Sequence, residues 1–389
     1  MEYKRLGDYI REVNVRNREL KVTNLLGVSV SKEFMPSIAN TIGTDMSTYK
    51  IVERGQLVYI ADTSRRGDKI AIALLDNYES AIVSQAYTVF EVIDHEQLLP
   101  EYLMMWFRRP EFDRYARFHS HGSAREVFDW DELCDVCLPI PSITRQREIV
   151  EEYETLSRRI PLNEQMIEKL EATAQALYRK MFVDGIDKEN LPEGWRMGTI
   201  GEFCEINTDN YTSKYNHSVI RYLDSSSVTE NDFDDYQFLK VGEDEIPSRA
   251  KRKVRLNDIV YSTVRPNLRH YGLIKGEIDN VVVSTAFAVI RSNNSDISNE
   301  LLYMWLIDDS NTEVLQGIAE MSKATYPSIT NDNIQDLKIA VPQKMEGLFC
   351  ELNIQLGVIF DSVYLYHREI KKLSELQSLL LSKMGNLKQ

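Results

Sequence analysis

The chain has 389 residues, of which 43% are hydrophobic and 27% are charged. This composition is typical of a globular protein with two or three domains, and it excludes disordered and fibrous classes. Lys and Arg total 46 and Asp and Glu total 60, so the formal net charge of −14 argues against a uniformly basic nucleic-acid-binding surface. No apolar run approaches the ~20 residues that cross a bilayer, and Met1–Gly7 lacks the apolar core of a secretory signal. We therefore expect a soluble, cytoplasmic protein.

Residues 1–142 are predicted to form a first globular unit that mixes short strands with helices. Runs of β-branched and aromatic residues, such as Leu57–Tyr59 and Ile82–Phe90, predict strands. The apolar periodicity of Leu98–Phe107 predicts a helix. The expected fold class of the unit is α+β.

Hydroxylated and cationic residues cluster in two predicted loops of this unit. Hydroxyls suit phosphate contacts, and Arg can read base edges in the major groove of DNA. A solvated loop tip is the alternative interpretation of each cluster. The candidate DNA-binding residues are Thr63, Ser64, Arg65, Arg66 and Lys69 in the first loop and His121, Ser123 and Arg125 in the second.

Cys134 and Cys137 have the Cys-x-x-Cys spacing, but a structural zinc site needs four ligands and the chain has no second such pair. The segment Leu133–Leu138 predicts a strand, which would point the two thiols to opposite faces. We expect structural cysteines and no metal site.

Residues 143–192 are predicted to form a long helix followed by a linker. Apolar residues step by 4 and 3 alternately, which is the heptad pattern of a coiled coil. Asn163 lies on the same seam, where a polar residue fixes register, and Pro161 predicts a kink or a division into two helices. The seam residues are Ile149, Leu156, Ile160, Ile167, Leu170 and Leu177.

Residues 193–342 are predicted to form a second globular unit that repeats the first. Ile82–Phe90 recurs as Val282–Ile290 and Leu57–Tyr59 recurs as Ile259–Tyr261, and the offsets of the repeated pairs stay between 199 and 202 residues. A period of this length indicates a duplicated domain.

Three cationic clusters lie in this second unit, and two of them occupy positions equivalent to those of the first. Lys251, Lys253 and Arg255 would share one face of a strand, as DNA-backbone contacts or as a lysine-guarded sheet edge. The other candidate DNA-binding residues are Thr263, Arg265, Asn267 and Arg269 after the repeated strand and Lys323, Thr325 and Tyr326 further along the chain.

Residues 343–389 are predicted to form a second long helix. Its seam superposes on the first at an offset of 203 residues and includes Gln377 as a polar position. Because a narrow apolar stripe needs another helix as its partner, we expect the two long helices to pack together as a coiled coil. The seam residues are Leu352, Ile359, Val363, Ile370, Leu373 and Leu380.

Several catalytic motifs are absent from the sequence. It contains no Gly-Lys dipeptide for a P-loop, no Gly-x-Gly dinucleotide loop and no Gly-x-Ser-x-Gly elbow. It also lacks the Asp/Asn-Pro-Pro-aromatic loop that an amino-group DNA methyltransferase needs. The chain is therefore predicted to be non-catalytic.

Two variable globular domains, each followed by a heptad helix, resemble the specificity subunit of type I restriction–modification systems. The residues that carry the resemblance are Asp258–Arg269, Tyr326–Ile329 with Asn333–Pro342, and Leu138–Pro141 with Gln146–Val150. The first half departs from the family pattern, since Ala61–Arg66 replaces the more usual Ser-Thr-x-Arg-Pro-Asn form.

The resemblance implies that 1–142 and 193–342 are target recognition domains that each read half of a split, asymmetric DNA sequence. It implies that the two helices pack antiparallel as a spacer. Two methyltransferase subunits would bind this chain, and two motor–nuclease subunits would join the full assembly. S-adenosylmethionine, ATP and Mg would be cofactors of those partners, with none in this chain.

Two other interpretations remain open from the sequence. The chain could be the specificity subunit of a fused methyltransferase–nuclease system, which would have the same architecture. It could also be a coiled-coil scaffold that binds proteins and no DNA, although the paired cationic loops argue against this.

Overall fold

A computed structural model describes residues 3–37, 43–62, 69–121, 126–212, 217–322, 326–345 and 347–385. The chain divides into two compact units. The N-terminal unit comprises Met1–Pro161 together with Lys371–Gln389, and the C-terminal unit comprises Leu162–Ile370.

The described residues of the first part of the chain form ten strands, three short α-helices and one long α-helix. The strands are β1 (Tyr3–Arg5), β2 (Ile10–Val13), β3 (Leu26–Val28), β4 (Phe34–Pro36), β5 (Lys50–Glu53), β6 (Leu57–Tyr59), β7 (Ile72–Leu74), β8 (Ser80–Val83), β9 (Thr88–Val92) and β10 (Cys137–Pro139). The helices are α1 (Pro100–Arg108), α2 (Pro110–Phe118), α3 (Trp130–Cys134) and α4 (Ile143–Phe182).

In the second part of the chain, the ranges that the structure describes form twelve strands and four α-helices. The strands are β11 (Trp195–Thr199), β12 (Cys204–Ile206), β13 (Val219–Leu223), β14 (Val228–Thr229), β15 (Asp232–Phe233), β16 (Gln237–Lys240), β17 (Ala250–Lys253), β18 (Ile259–Ser262), β19 (Tyr271–Leu273), β20 (Val281–Ser284), β21 (Phe287–Ser292) and β22 (Lys338–Pro342). The helices are α5 (Asn299–Leu306), α6 (Asp309–Glu320), α7 (Asn331–Gln335) and α8 (Cys350–Met384).

Each unit is built on an antiparallel four-stranded sheet of the same design. The strand order is β2-β9-β6-β7 in the N-terminal unit and β12-β21-β18-β19 in the C-terminal unit. The central strands β6 and β18 are wholly buried, which explains their uninterrupted apolar sequences. A further strand pair, β1 with β10 or β11 with β22, joins the start of each domain to the segment before its long helix. The α+β class and the domain repeat are confirmed.

In each sheet, a polar side-chain contact joins the start of one central strand, β6 or β18, to the neighbouring central strand, β9 or β21. The contact occupies the same place in both sheets but has different chemistry. In the C-terminal unit, the Arg291 guanidinium donates to both carboxylate oxygens of Asp258, at 2.7 and 2.6 Å. In the N-terminal unit, Gln56 donates to Glu91 at 2.9 Å. The repeat therefore preserves the position of the contact while the residues that make it have diverged.

A side-chain amide, buried in α4 and half-buried in α8, fixes the first turns of each long helix to the preceding domain. Gln146 of α4 accepts a hydrogen bond from the Leu99 amide at 2.9 Å and donates to the Gln97 carbonyl at 2.8 Å. Asn353 of α8 accepts from the Ser298 amide at 3.3 Å and donates to the Asp296 carbonyl at 2.8 Å. In each unit, the side-chain amide thus bonds to the backbone of the residues just before the first helix of the domain, α1 or α5.

The two long helices pack antiparallel within each unit. In the N-terminal unit, Ile149 and Val150 from the start of α4 share a core with Leu381 and Met384 from the end of α8. In the C-terminal unit, the later part of α4 shares a core with the earlier part of α8, for example through Ile167 and Val363. The predicted coiled-coil pairing is confirmed.

None of the predicted seam residues is exposed: each one is buried or half-buried. Gln377 donates to the Ser157 hydroxyl at 2.7 Å, so this polar seam position is satisfied by its partner helix. Pro161 lies inside α4, which is a single helix from Ile143 to Phe182, and the boundary between the two units falls directly after it. The division into two helices, one of two outcomes expected for Pro161, is therefore excluded.

Two local predictions from the sequence were wrong. The segment Leu133–Leu138 is not a continuous strand: Cys134 ends α3 and Cys137 begins β10. Likewise β17 ends at Lys253, with an irregular register between Ala250 and Arg252. Lys251, Lys253 and Arg255 therefore do not share one face of a regular strand.

None of the helices in the described ranges combines the length and apolar character that crossing a bilayer requires.

The packing of α8 predicts that a substitution near the end of the chain weakens the unit at its beginning. Met384 is 1% exposed within the N-terminal core. We expect Met384→Ala to destabilise that unit by about 2–5 kcal/mol, the usual cost of emptying a buried Met or Leu site. Hydrogen–deuterium exchange should then accelerate in α1 and not in α5.

Leu379→Ala on the same helix is the matched control, because Leu379 is 56% exposed. It should leave exchange unchanged in both units. Equal acceleration of α1 and α5 by Met384→Ala would contradict the assignment of the last helical turns to the N-terminal unit.

Candidate nucleic-acid interface

The best-defined cationic site is the loop that joins β18 to β19 in the C-terminal unit. β18 and β19 pair in register, with Tyr261 opposite Tyr271. The rings of these two tyrosines stack at 5.6 Å, and Tyr271 meets the ring of Tyr303 edge-on at 6.0 Å. This aromatic base fixes both ends of the loop, so the residues at its tip have defined positions.

The loop contains two arginines in left-handed backbone conformation. The φ angles are 50° at Arg265 and 54° at Arg269, and they flank a short turn over Pro266–Leu268. Non-glycine residues adopt this region rarely, at a cost of order 1–3 kcal/mol each, and such residues concentrate at ligand-binding sites. The strain is held by hydrogen bonds, since the Arg265 amide donates to the Pro327 carbonyl at 2.9 Å.

The two arginines have different surroundings. Arg265 is exposed, and its guanidinium lies 5.3 Å from the ring centre of Tyr326. Arg269 donates to Asp309 at 2.8 Å and lies 3.3 Å from Glu230. The hydrogen bond to Asp309 is the main cause that raises the pKa of Arg269. Arg265 is therefore available to an anionic ligand, while the charge of Arg269 is balanced within the protein.

The remaining predicted residues of this loop play distinct parts. Asn267 is exposed, and its backbone amide donates a hydrogen bond to the side-chain oxygen of Gln316 in α6 at 3.1 Å. Thr263 donates its hydroxyl proton to the Ala286 carbonyl at 2.9 Å, so this hydroxyl serves the fold. Tyr326 is 57% exposed and forms one surface with Arg265.

The cluster around β17 is partly neutralised by the segment 209–211. Arg255 pairs with Asp209 at 2.8 Å, and the Lys253 amide donates to the Asp209 carbonyl at 3.1 Å. Lys251 is exposed, and its carbonyl accepts from the Tyr211 amide at 2.7 Å. The outer edge of β17 is therefore covered by neighbouring chain, and Lys251 presents its charge outward.

In the N-terminal unit the structure describes only part of the equivalent site. Lys69 is exposed, and the following Ile70 amide donates to Asp113 of α2 at 3.2 Å. His121 is exposed and lies 3.4 Å from Glu132. The other predicted DNA-binding residues lie outside the described residues: Thr63, Ser64, Arg65, Arg66, Ser123, Arg125, Lys323 and Thr325.

Three functional partners of the loop escaped the sequence analysis. Glu230 and Asp309 balance Arg269, and Gln316 holds the turn at Asn267. They lie about 40 or more residues from the arginines along the chain, and no local motif marks them.

Within the described part of the chain, no group of three or more His, Cys, Asp or Glu side chains is arranged to hold a metal ion. Cys134 is buried and Cys137 is exposed.

A cavity of about 640 Å³ in the C-terminal unit adjoins the loop. Carboxylates and cations line it in equal number: Glu171, Glu230, Asp308 and Asp309 against Arg179, Lys188, Arg269 and Lys338. Its lining includes Glu171 and Tyr178 of α4 together with Glu230, Arg269 and Asp309. Burial raises the pKa of Glu171 to about 7, and the nearby negative charges of Glu230 and Asp232 add to the shift. Because the lining charges balance, the cavity offers phosphate no excess of cations. The exposed tip of the loop is therefore the better DNA site.

The raised pKa of Glu171 predicts a pH-dependent stability. The folded chain binds this proton more tightly than the unfolded chain, whose Glu pKa has its ordinary value of 4.5. The free energy of unfolding therefore falls as pH rises from 4.5 to about 7. Glu171→Gln should remove this contribution. The melting temperature of the variant, relative to that of the wild type, should therefore rise as the pH increases from 4.5 to about 7.

Glu168→Gln changes an exposed position one turn earlier on the same helix and serves as the control. Thermal unfolding at several pH values measures both variants. Parallel melting curves for wild type and Glu171→Gln from pH 4 to 8 would contradict the prediction.

Comparison with known proteins bears on both sequence and fold. Residues 192–355 match the sequence model of the family described as the type I restriction modification DNA specificity domain. A stretch of 123 residues, 32% of the chain, is 33% identical to the type I restriction enzyme HindI specificity subunit of Haemophilus influenzae. The aligned stretch spans only 26% of that relative's length.

The whole chain also resembles a solved structure. The S subunit of a type I restriction–modification system from M. genitalium superposes with a TM-score of 0.64 over 100% of this chain and 96% of that one. The two sequences are 11% identical, so the likeness concerns the fold. The likeness of fold includes both globular domains and both long helices.

Proposed function

We propose that the whole chain is the specificity subunit of a type I restriction–modification system, because residues 192–355 match the DNA specificity domain of that family. Each globular domain reads one part of a bipartite, asymmetric DNA target. The chain itself is non-catalytic and directs partner subunits to that target.

The observation that carries this proposal is the loop of the C-terminal unit. Arg265 is exposed and held in a strained backbone conformation beside the exposed ring of Tyr326. Guanidinium groups pair with guanine edges and with phosphates, and aromatic rings pack on nucleotides. The backbone that carries this exposed cation is held in place, which favours a role in DNA recognition over that of a solvated loop tip.

The acidic net charge is compatible with this function because binding depends on the local surface. Opposing charges on other faces reduce long-range attraction to DNA, and partner subunits can supply the missing cations. We infer that stable binding of DNA needs the assembled complex.

The outer faces of the long helices support partner binding. Ile354, Val358 and Leu365 of α8 recur at helical spacing and are each about 60% exposed. They lie off the buried seam and leave an apolar surface for another protein. We propose that methyltransferase subunits bind these helices, that motor–nuclease subunits complete the assembly, and that S-adenosylmethionine, ATP and Mg are bound by those partners.

Deleting the gene provides the first test. Genome-wide methylation mapping in the host should show that one split, asymmetric motif loses methylation on deletion and regains it on complementation. Persistence of every methylated motif, while the partner methyltransferase is expressed, would overturn the proposal and favour the protein scaffold.

Substitution of the two loop arginines tests the site itself. We expect Arg265→Ala to cost about 1–3 kcal/mol of binding to the target and to relax sequence preference in one half of the motif only. Because Arg269 is paired with Asp309 and Glu230, Arg269→Ala should weaken target and non-target duplexes alike through the loop's position. Salt-matched gel shifts with the assembled complex measure both effects.

Arg196→Ala removes the same charge from a strand outside the loop, where Arg196 pairs with Glu202 at 2.6 Å. It should leave binding nearly unchanged. An equal loss for Arg196→Ala and Arg265→Ala would show that total charge, and no specific contact, determines affinity.

A further inference from the structure

Two large apolar side chains project into solvent at equivalent places in the two units. Phe118 is 80% exposed and Met321 is 85% exposed, more than any other large hydrophobic residue in the described ranges. Phe118 is the last residue of α2, and Met321 directly follows α6. They are 203 positions apart, close to the offsets of 199–202 residues that relate the repeated segments of the two globular units.

In the C-terminal unit this residue lies at the edge of the cationic loop. α6 contacts the loop along its length, through Asp309 to Arg269 and through Gln316 to the Asn267 amide. At 1.5 Å per residue, Met321 lies only ~8 Å beyond Gln316 along the helix axis. It precedes Tyr326, whose ring packs under Arg265, by five positions in the sequence.

In the N-terminal unit Phe118 has a corresponding position. The ring of Phe118 meets His119 edge-on at 5.2 Å. Two residues later, His121 pairs with Val127, and Val127 also pairs with Asp62. His121 is exposed and is itself one of the predicted DNA-binding residues. Phe118 therefore lies three positions before a predicted DNA-contacting residue of this unit.

The chemistry of the two side chains indicates what kind of ligand they contact. Phe and Met differ in shape but share an apolar, polarisable side chain without a hydrogen-bonding group. Proteins that distort DNA insert such side chains between neighbouring base pairs, where they replace part of the stacking. A cation beside the wedge holds the adjacent backbone. A protein-binding surface, by contrast, would be expected to present a broader patch.

We propose that Met321 and Phe118 are wedges that enter the base stack of duplex DNA next to the bases read by each domain. This inference rests on the proposed function, because it places the wedge at the edge of the same DNA interface. The wedge would locally unstack one step and so couple recognition to distortion of the duplex.

The test uses the full chain assembled with its partner methyltransferase and a duplex carrying the motif found by methylation mapping. 2-Aminopurine is placed in turn at each purine position in and beside the half-site, and its fluorescence rises when the base loses its stacking neighbours. The wild type should raise the fluorescence at one step. Met321→Ala and Met321→Gln should abolish that rise and weaken binding about tenfold, or ~1.4 kcal/mol.

Two variants separate a wedge from a merely structural residue. Met321→Leu keeps an apolar side chain and should retain the fluorescence rise. Val314→Ala removes another exposed apolar side chain from α6, where Val314 is 53% exposed, and should change neither fluorescence nor affinity. In the other half-site, Phe118→Ala should lose the signal and Phe118→Leu should keep it.

Three outcomes overturn the inference. Fluorescence that stays low at every position in a wild-type complex shows that no base is unstacked. A full signal with Met321→Ala shows that another residue unstacks the base. Loss of the methyltransferase from the Met321→Ala complex in gel filtration shows that the side chain binds protein. If the wild-type complex fails to bind the duplex at all, the proposed function itself is wrong and the wedge falls with it.

Discussion

A side-chain amide near the start of each long helix, Gln146 buried and Asn353 half-buried, sets where that helix leaves its domain. Gln146 and Asn353 each satisfy an amide and a carbonyl of the chain that leads into α1 or α5. A buried backbone group left without a partner costs ~1–3 kcal/mol, so this contact fixes where each helix leaves its domain. The heptad seam then extends from a fixed origin, and the other long helix, which runs in the opposite direction with the same period, covers it within each unit.

The repeat preserves architecture and lets chemistry diverge. The same position in the sheet holds an Arg–carboxylate pair in the C-terminal unit and a Gln–carboxylate hydrogen bond in the N-terminal unit. Similarly, one helix end presents Phe118 and its counterpart presents Met321. The sheet and the amide contacts form a constant frame, and the loop-bearing edge of each domain varies upon it. Such a division allows two domains of one fold to carry different contacts to a ligand.

The sequence predicts the frame well and the site only in part. Heptad spacing marks every seam residue, because burial along a helix repeats in the sequence itself. The loop after β18 is also marked, because the strand before it recurs in both halves. The sequence does not show which of its two arginines is charge-paired, because Asp309 and Glu230 reach Arg269 only after the chain has folded. Leu133–Leu138 misled for a similar reason: Asp129 caps a short helix by accepting from the Glu132 amide at 3.0 Å, which overrides the β-propensity of the segment.

The pairing of distant helix segments has a consequence for biosynthesis. The C-terminal unit is one continuous stretch, whereas the N-terminal unit needs Lys371–Gln389 to complete its core. At ~5–20 residues per second, a ribosome takes roughly 10–40 s to travel from the first piece of that unit to the second. During this interval the nascent N-terminal unit lacks Leu381 and Met384, while all of the other unit emerges. The N-terminal unit is thus synthesised first but completes its folding last. A chain that terminates shortly before the end of α8 lacks the α8 residues that complete the hydrophobic core of the N-terminal unit.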